Sequence, residues 1–235
     1  MILPVTESLL NTKEASETLG ISDRRVRELA DLGSLKSFKS GRRIYVTMDS
    51  VNQIKRRYRK AGRPFAPRMA FAALYMISGE HVNWLKATER YRLREHLRSS
   101  NIERLLSLCG KRALTQEYWC RDSRLGKLLM EIRSSAATGD LAEHFGLTKD
   151  SRIEGYVPVD ILPEIVKSFR LRDDFTPATV KLHVTSFLPN GEGTMPLGVC
   201  AADLAESEDV RERNAGKEKL RQLLEHYQLN MESRP

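Results

Sequence analysis

Residues Leu10 to Val46 read LNTKEASETLGISDRRVRELADLGSLKSFKSGRRIYV, and this stretch decides the fold of the first third of the chain. Thr12 is placed to cap a short helix, KEASETLG, with Glu14 and Glu17 supplying negative charge near its start and Gly20 ending it. Ala15 is small where a second helix must cross closely. Ser22 is the cap of that second helix, which is expected from Asp23 to about Leu32 and stops at Gly33. Val26, Leu29 and Ala30 stand at i, i+3 and i+4 and form its buried stripe with Leu19 and Ile21, so Arg24, Arg27, Glu28 and Asp31 point outward. Arg24 with Glu28 and Arg27 with Asp31 also have the i, i+4 spacing of ordinary solvated ion pairs, in the weaker basic-first order. From Leu35 to Val46 apolar and polar residues alternate on both sides of Ser40-Gly41, the pattern of a tight hairpin whose glycine takes a positive φ. Thr47 or Asp49 then caps a third helix, with Val51, Ile54 and Tyr58 inward and Lys55, Arg56, Arg57 and Arg59 outward.

Two capped helices across a glycine turn, followed by a basic hairpin, make a helix-turn-helix with a wing. The charge distribution agrees with such a module. The chain carries 39 Lys+Arg and 31 Asp+Glu, a net of +8. Residues 1–68 hold 15 of the basic and 7 of the acidic residues, so they contain the whole excess. A positive block on one module implies a polyanionic partner, and the motif makes double-stranded DNA the expected one. Arginine can bond a guanine edge with two N–H groups and also pairs with phosphate. The predicted DNA-contacting set is Ser22, Arg24, Arg25 and Arg27 on and before the second helix, Lys36, Lys39, Ser40, Arg42 and Arg43 on the wing, and Arg63 in the following stretch. Arg25 turns further from the outward face and is expected to reach only phosphate.

The 235 residues divide, on this reading, into residues 1–60 as the winged domain, 61–68 (AGRPFAPR) as a basic Pro/Gly linker, and 69–235 as an α+β domain with a candidate subdivision near residue 133. Gly62-Arg63-Pro64 resembles the core of an AT-hook, which would lie in a minor groove; a plain basic linker fits the same residues. Met69–Ser78 is apolar nearly all round and is expected to be a buried helix ended by Gly79. Thr88 is expected to cap ERYRLREHLRSS, with Tyr91, Leu93 and Leu97 packing. Helix at 102–109, strand at 112–120 and helix after Asp122 follow. Beyond Ser134 the order is helix (AATGDLAEHFG), strand (IEGYVP), helix (VDILPEIVKSF), strand (TVKLHVTSF) and two helices. Asp209 caps the last, with Val210, Leu220, Leu223 and Leu224 apolar. The mixture, without a regular βαβ repeat, is the α+β class.

No glycine-rich phosphate loop, GxSxG elbow or HExxH pattern occurs, so no enzyme, cofactor or catalytic residue is predicted. Cys109, Cys120 and Cys200 are too few and too scattered for a disulfide framework or zinc site and read as buried free thiols. His144 and His183 read as core or surface histidines, and Asp173-Asp174 as a solvated turn rather than a metal pair. The N-terminus lacks a signal-peptide pattern, and no run is apolar enough for a membrane span, which predicts a cytoplasmic protein.

The opening LNTKEASETLGIS, the helix DRRVRELADLGSL and the wing FKSGRRIYV with its capped helix resemble the winged helix-turn-helix of the excisionase and MerR families. The resemblance implies that the second helix enters the major groove, carried by Arg24, Arg25 and Arg27, and that the wing touches the backbone through Lys39, Arg42 and Arg43. A MerR-type metal or drug sensor usually continues into a coiled coil; no sustained heptad or metal-binding cysteine pair is present here. SSAATGDLAEHFGL, SRIEGYVPVDILPEIVKSFRL, VKLHVTSF and LGVCAADLAESEDVRERNAGKEKLRQLL are similar to the C-terminal half of AbiEi-like antitoxins. That similarity implies a transcriptional repressor of its own promoter, paired with a nucleotidyltransferase toxin. Because one short module reads few base pairs, a homodimer on paired half-sites is expected on DNA. An excisionase-like architectural or recombination accessory protein, or a ligand-sensing MerR-like regulator, are the alternatives.

Overall fold

A computed structural model describes residues 8–41, 43–57, 63–135, 145–146 and 152–232. The chain divides into two compact units, Met1–Lys60 and Ala61–Pro235. Arg42, Tyr58 and residues 136–144 of the expected helix AATGDLAEHFG, with His144, lie outside the described residues; its last two residues, Phe145 and Gly146, form a turn.

The first unit runs β1 (Leu9–Asn11), α1 (Thr12–Leu19), α2 (Asp23–Asp31), β2 (Ser37–Ser40), β3 (Arg43–Thr47) and α3 (Met48–Arg57). Its core is Ala15, Val26, Leu29, Ala30, Leu35, Val46, Val51 and Ile54, with Leu19 and Ile21 packed against it. The three strands form an antiparallel sheet in the order β1-β3-β2. The cap of α1 is Asn11 rather than Thr12. Asn11 Oδ1 accepts from the Lys13 and Glu14 N–H groups, while Glu14 returns an acceptor to the Asn11 N–H at 2.9 Å. That reciprocal box needs a carboxylate three residues after the cap; Thr12 would have found Ala15 there. The Thr12 hydroxyl instead donates to Asp23 Oδ2 at 3.2 Å, tying α1 to the start of α2. The expected caps at Ser22 and Thr47 are present.

The second unit runs α4 (Pro67–Ile77), α5 (Ala87–Arg98), α6 (Ile102–Cys109), β4 (Leu114–Tyr118), α7 (Asp122–Glu131), β5 (Arg133–Ser134), β6 (Ile153–Pro158), α8 (Leu162–Phe169), β7 (Val180–Thr185), α9 (Leu197–Ala205) and α10 (Val210–Glu232). The described part of the expected linker belongs to this unit. The Phe65 N–H donates to Leu108 O, Pro67 opens α4, and Arg68 is clamped to Glu89 at 2.8 and 3.1 Å. Glu89 also takes the Lys86 N–H, so α5 begins one residue before Thr88, which sits inside the first turn and caps nothing.

The sheet has the order β4-β7-β6-β5, with β6 and β7 parallel around α8 and the outer pairs antiparallel. Strand alternation gives it two different faces. Ile153, Val157, Val180, Leu182 and Val184 pack in one apolar cluster with Leu128 of α7 and Ile165 of α8. The opposite face carries Glu154, Tyr156, Lys181, His183 and Thr185 and meets a helical layer built on α4, α5, α6, α9 and α10. Leu93 and Leu97 enter that layer as expected. Tyr91 and Val210 do not, being 64% and 58% exposed: apolar spacing on a helix identifies a face, not its outermost members.

Helix α10 lies so close to α9 that a Cβ on Gly216 would come within 2.6 Å of Ala201 O. Gly126, on the exposed side of α7, meets nothing within 4 Å. Gly216→Ala should therefore cost about 1–3 kcal/mol in urea unfolding despite alanine's better helix propensity. Gly126→Ala should be neutral or gain up to ~1 kcal/mol.

Candidate nucleic-acid interface

Helix α2 has the sequence DRRVRELAD: three arginines and three carboxylates in nine residues, around a buried Val26-Leu29-Ala30 stripe. Ser22 starts it by accepting the Arg25 N–H at 3.3 Å. At its other end Ser34 donates to Leu29 O and Gly33 donates to Ala30 O, a closure that requires the positive φ of 69° at Gly33. Both ends are thus fixed by local chemistry, and the helix is held at a defined length with its charged side toward solvent.

Those arginines are not loose. Arg24 Nε lies 3.3 Å from Glu28 Oε1, and Arg25 donates from a terminal nitrogen to Glu28 Oε2 at 2.8 Å. Arg27 reaches back to Asp23 Oδ2 at 3.2 Å, not forward to Asp31. The acid-first order of Asp23 and Arg27 is the favoured one on a helix, which explains the change of partner from the expected pair. Arg25, and then Arg24, hold the Glu28 carboxyl below its usual range although desolvation opposes them. Such exposed pairs add little stability; they orient side chains.

The wing follows directly. Ser40 and Arg43 are paired across β2 and β3, and Gly41, which follows Ser40, has the positive φ of 60° expected of it. Asp31, freed of Arg27, lies 4.0 Å from Lys39 Nζ, which places the β2 strand of the wing beside the C-terminal end of α2. Ser22, Arg24, Arg25, Arg27, Lys36, Lys39, Ser40 and Arg43 are all exposed. Arg63 is exposed too but belongs to the second unit, and Arg42 falls outside the described residues.

Among the described residues, another cluster of titratable groups is buried between the sheet and the helical layer of the second unit. Arg112 bonds Asp203 Oδ1 at 2.5 Å, Glu206 at 3.0 and 3.1 Å and Tyr156 Oη at 2.9 Å. Tyr156 and Ser135 also donate to Asp203. Beside them Glu154 takes Lys181 at 2.9 Å and His183 at 2.7 Å, and Thr115 meets the other ring nitrogen of His183. Glu154, His183 and Asp203 offer three ligand atoms within 4.8 Å of one another. Lys181 and Arg112 already neutralise both carboxylates, so a divalent cation would have to displace two fixed positive charges. The arrangement does the work of an internal strut. Cys109, Cys120 and Cys200 are buried and unpaired, and burial pushes the Cys109 thiol up to about 12.

A family model described as a helix-turn-helix domain matches residues 9–59, which span β1 to α3 and the whole wing. No curated protein and no solved structure matches the chain. The first unit is a helix-turn-helix domain, and no helix among the described residues is long and apolar enough to cross a membrane.

Burial raises the Glu154 carboxyl, but Lys181 and His183 outweigh it and hold the group well below its ordinary 4.5. A carboxylate depressed in the folded state contributes stability that is complete above that ordinary value and disappears as the pH falls below it. Urea unfolding between pH 7 and pH 3 should show wild-type stability dropping below about pH 4.5, by up to about 1.4 kcal/mol per pH unit for this one proton. Glu154→Gln, less stable at pH 7, should lose less over the same interval.

Proposed function

We propose that the protein is a sequence-specific DNA-binding transcriptional repressor whose helix α2 enters the major groove while the β2–β3 wing lies on the backbone. The observation that carries this reading is the exposure of Arg24, Arg25 and Arg27 on a helix capped at both ends, beside a wing bearing Lys36, Lys39 and Arg43. The family match over residues 9–59 supports the same reading. The wing and its flanks supply net positive charge, hence affinity for any duplex; the arginines of α2 supply base contacts. Ser22 and Ser40, at the start of α2 and the tip of β2, are assigned to phosphate contact, and Arg63, in the basic stretch after the domain, to DNA as well. One such module reads few base pairs, so a homodimer on paired half-sites is part of the proposal.

Fluorescence anisotropy of the full chain with a labelled duplex tests this. Binding should weaken as salt rises, with a log–log slope of about −0.9 per phosphate neutralised. Arg43→Glu should weaken binding to all duplexes, whereas Arg24→Ala should cost about 1–3 kcal/mol on the preferred site alone. Absence of duplex binding at low salt would remove the reading.

The finer role we propose is that of a non-enzymatic, cytoplasmic antitoxin that represses its own promoter and neutralises a nucleotidyltransferase toxin through the second unit. Its support is the similarity of the segments around Ile153–Pro158, Val180–Thr185 and Leu197–Glu232 to AbiEi-like antitoxins. Co-expression with a nucleotidyltransferase encoded next to it should relieve that protein's toxicity, and a chain ending at Lys60 should not. Unchanged toxicity with the full chain would leave a repressor without a toxin.

A further inference from the structure

Charge on the first unit is divided unevenly between its two exposed elements. Helix α2 carries three arginines and three carboxylates and is neutral, while the residues 36–43 that form the wing contain four basic residues and no acidic one. A helix meant only to attract a polyanion would not carry Glu28 in the middle of its exposed face. Glu28 is 43% exposed, and each of its oxygens is committed to a different arginine. The Arg24 contact uses Nε, and the side chain is 91% exposed. Among the described residues nothing else holds the two terminal nitrogens of Arg24, which form the edge that bonds guanine O6 and N7.

We propose that Glu28 is the specificity-determining positioning residue of this surface: it aims the Arg24 guanidinium at a guanine and repels phosphate when the helix is out of register. The inference rests on the DNA-binding reading above. With a guanine in place, Arg24 keeps its Nε on Glu28 and gives its terminal N–H groups to the base, so no carboxylate is left unpaired. On an unmatched sequence the arginines turn to phosphate, and Glu28 is exposed to the negative backbone without a counter-charge. The wing then provides affinity and Glu28 discriminates, which is the expected use of a repulsive group in a specific interface.

The test is selection of a preferred site from a randomised duplex pool with the full-length wild-type protein, followed by anisotropy on that site and on a scrambled duplex. Glu28→Gln keeps the shape and removes the charge. It should bind the scrambled duplex more tightly, so that the ratio of selected to scrambled affinity falls by roughly tenfold. Its salt slope on scrambled DNA should steepen by about one phosphate equivalent. Glu28→Asp, which keeps the charge but is too short to hold both arginines, should leave scrambled binding weak and lose affinity for the selected site. An unchanged ratio in Glu28→Gln overturns the inference while leaving DNA binding intact. Failure of the wild type to enrich any sequence overturns the DNA-reading proposal itself.

Discussion

The first unit depends on one constraint: a nine-residue helix with six charged side chains must be held in place by three apolar ones. Val26, Leu29 and Ala30 are buried against Ala15, Leu35, Val46, Val51 and Ile54, and that stripe is what turns the charged remainder of α2 outward. Isolated, a helix this short would not persist in water. The Ser22 cap, the Gly33 closure and the Thr12 bond to Asp23 fix where it starts, where it ends and how it meets α1. The outward orientation of Arg24, Arg25 and Arg27 follows from that seating.

The second unit solves a different problem, that of joining a sheet to a helical layer through its polar face. Where β6 and β7 turn Glu154, Tyr156, Lys181 and His183 inward, α9 brings Asp203 and the stretch before β4 brings Arg112 to meet them. Breaking such a network by removing one partner leaves an uncompensated buried charge, so it fixes one arrangement of the layers more than it adds net stability. Its seven ionisable groups, Glu206 included, are committed to each other in the interior, whereas those of α2 pair with each other on the surface. The charge of the protein is therefore placed in two ways, as an internal strut in one unit and as an exposed, mutually paired surface in the other.

What could be read from sequence was mostly what is local. Ser22, Gly20, Gly41 and Asp209 act on neighbours within four residues, and the structure places each at the expected helix end or turn. The elements β6 and α6 fall on the expected residues for the same reason. Asn11 escaped because the capping box depends on the Glu14 carboxylate as much as on the cap, and Thr88 lost its place to the Glu89–Lys86 bond. Arg27 has acidic residues at both i−4 and i+4; helix geometry permits either, and the order of charges along the helix decides. The Arg112–Asp203 contact joins residues 91 apart, and no pattern along the chain brings them together. His183 read as a core or surface histidine, and it is a buried one; its carboxylate partner lies on the neighbouring strand, visible only once β6 and β7 are in register.

At the candidate interface, the exposed basic residues and the Arg24–Glu28 pair were legible, while the Arg25–Glu28 and Arg27–Asp23 pairs were not. The most direct measurement is methylation protection of guanine N7 on a duplex selected by the full-length protein, because N7 lies in the major groove where α2 is assigned. The account predicts protection of at least one guanine by the wild type and loss of that protection in Arg24→Ala with the backbone footprint retained. Protection confined to the minor groove, or guanine protection that Arg24→Ala leaves intact, would contradict it.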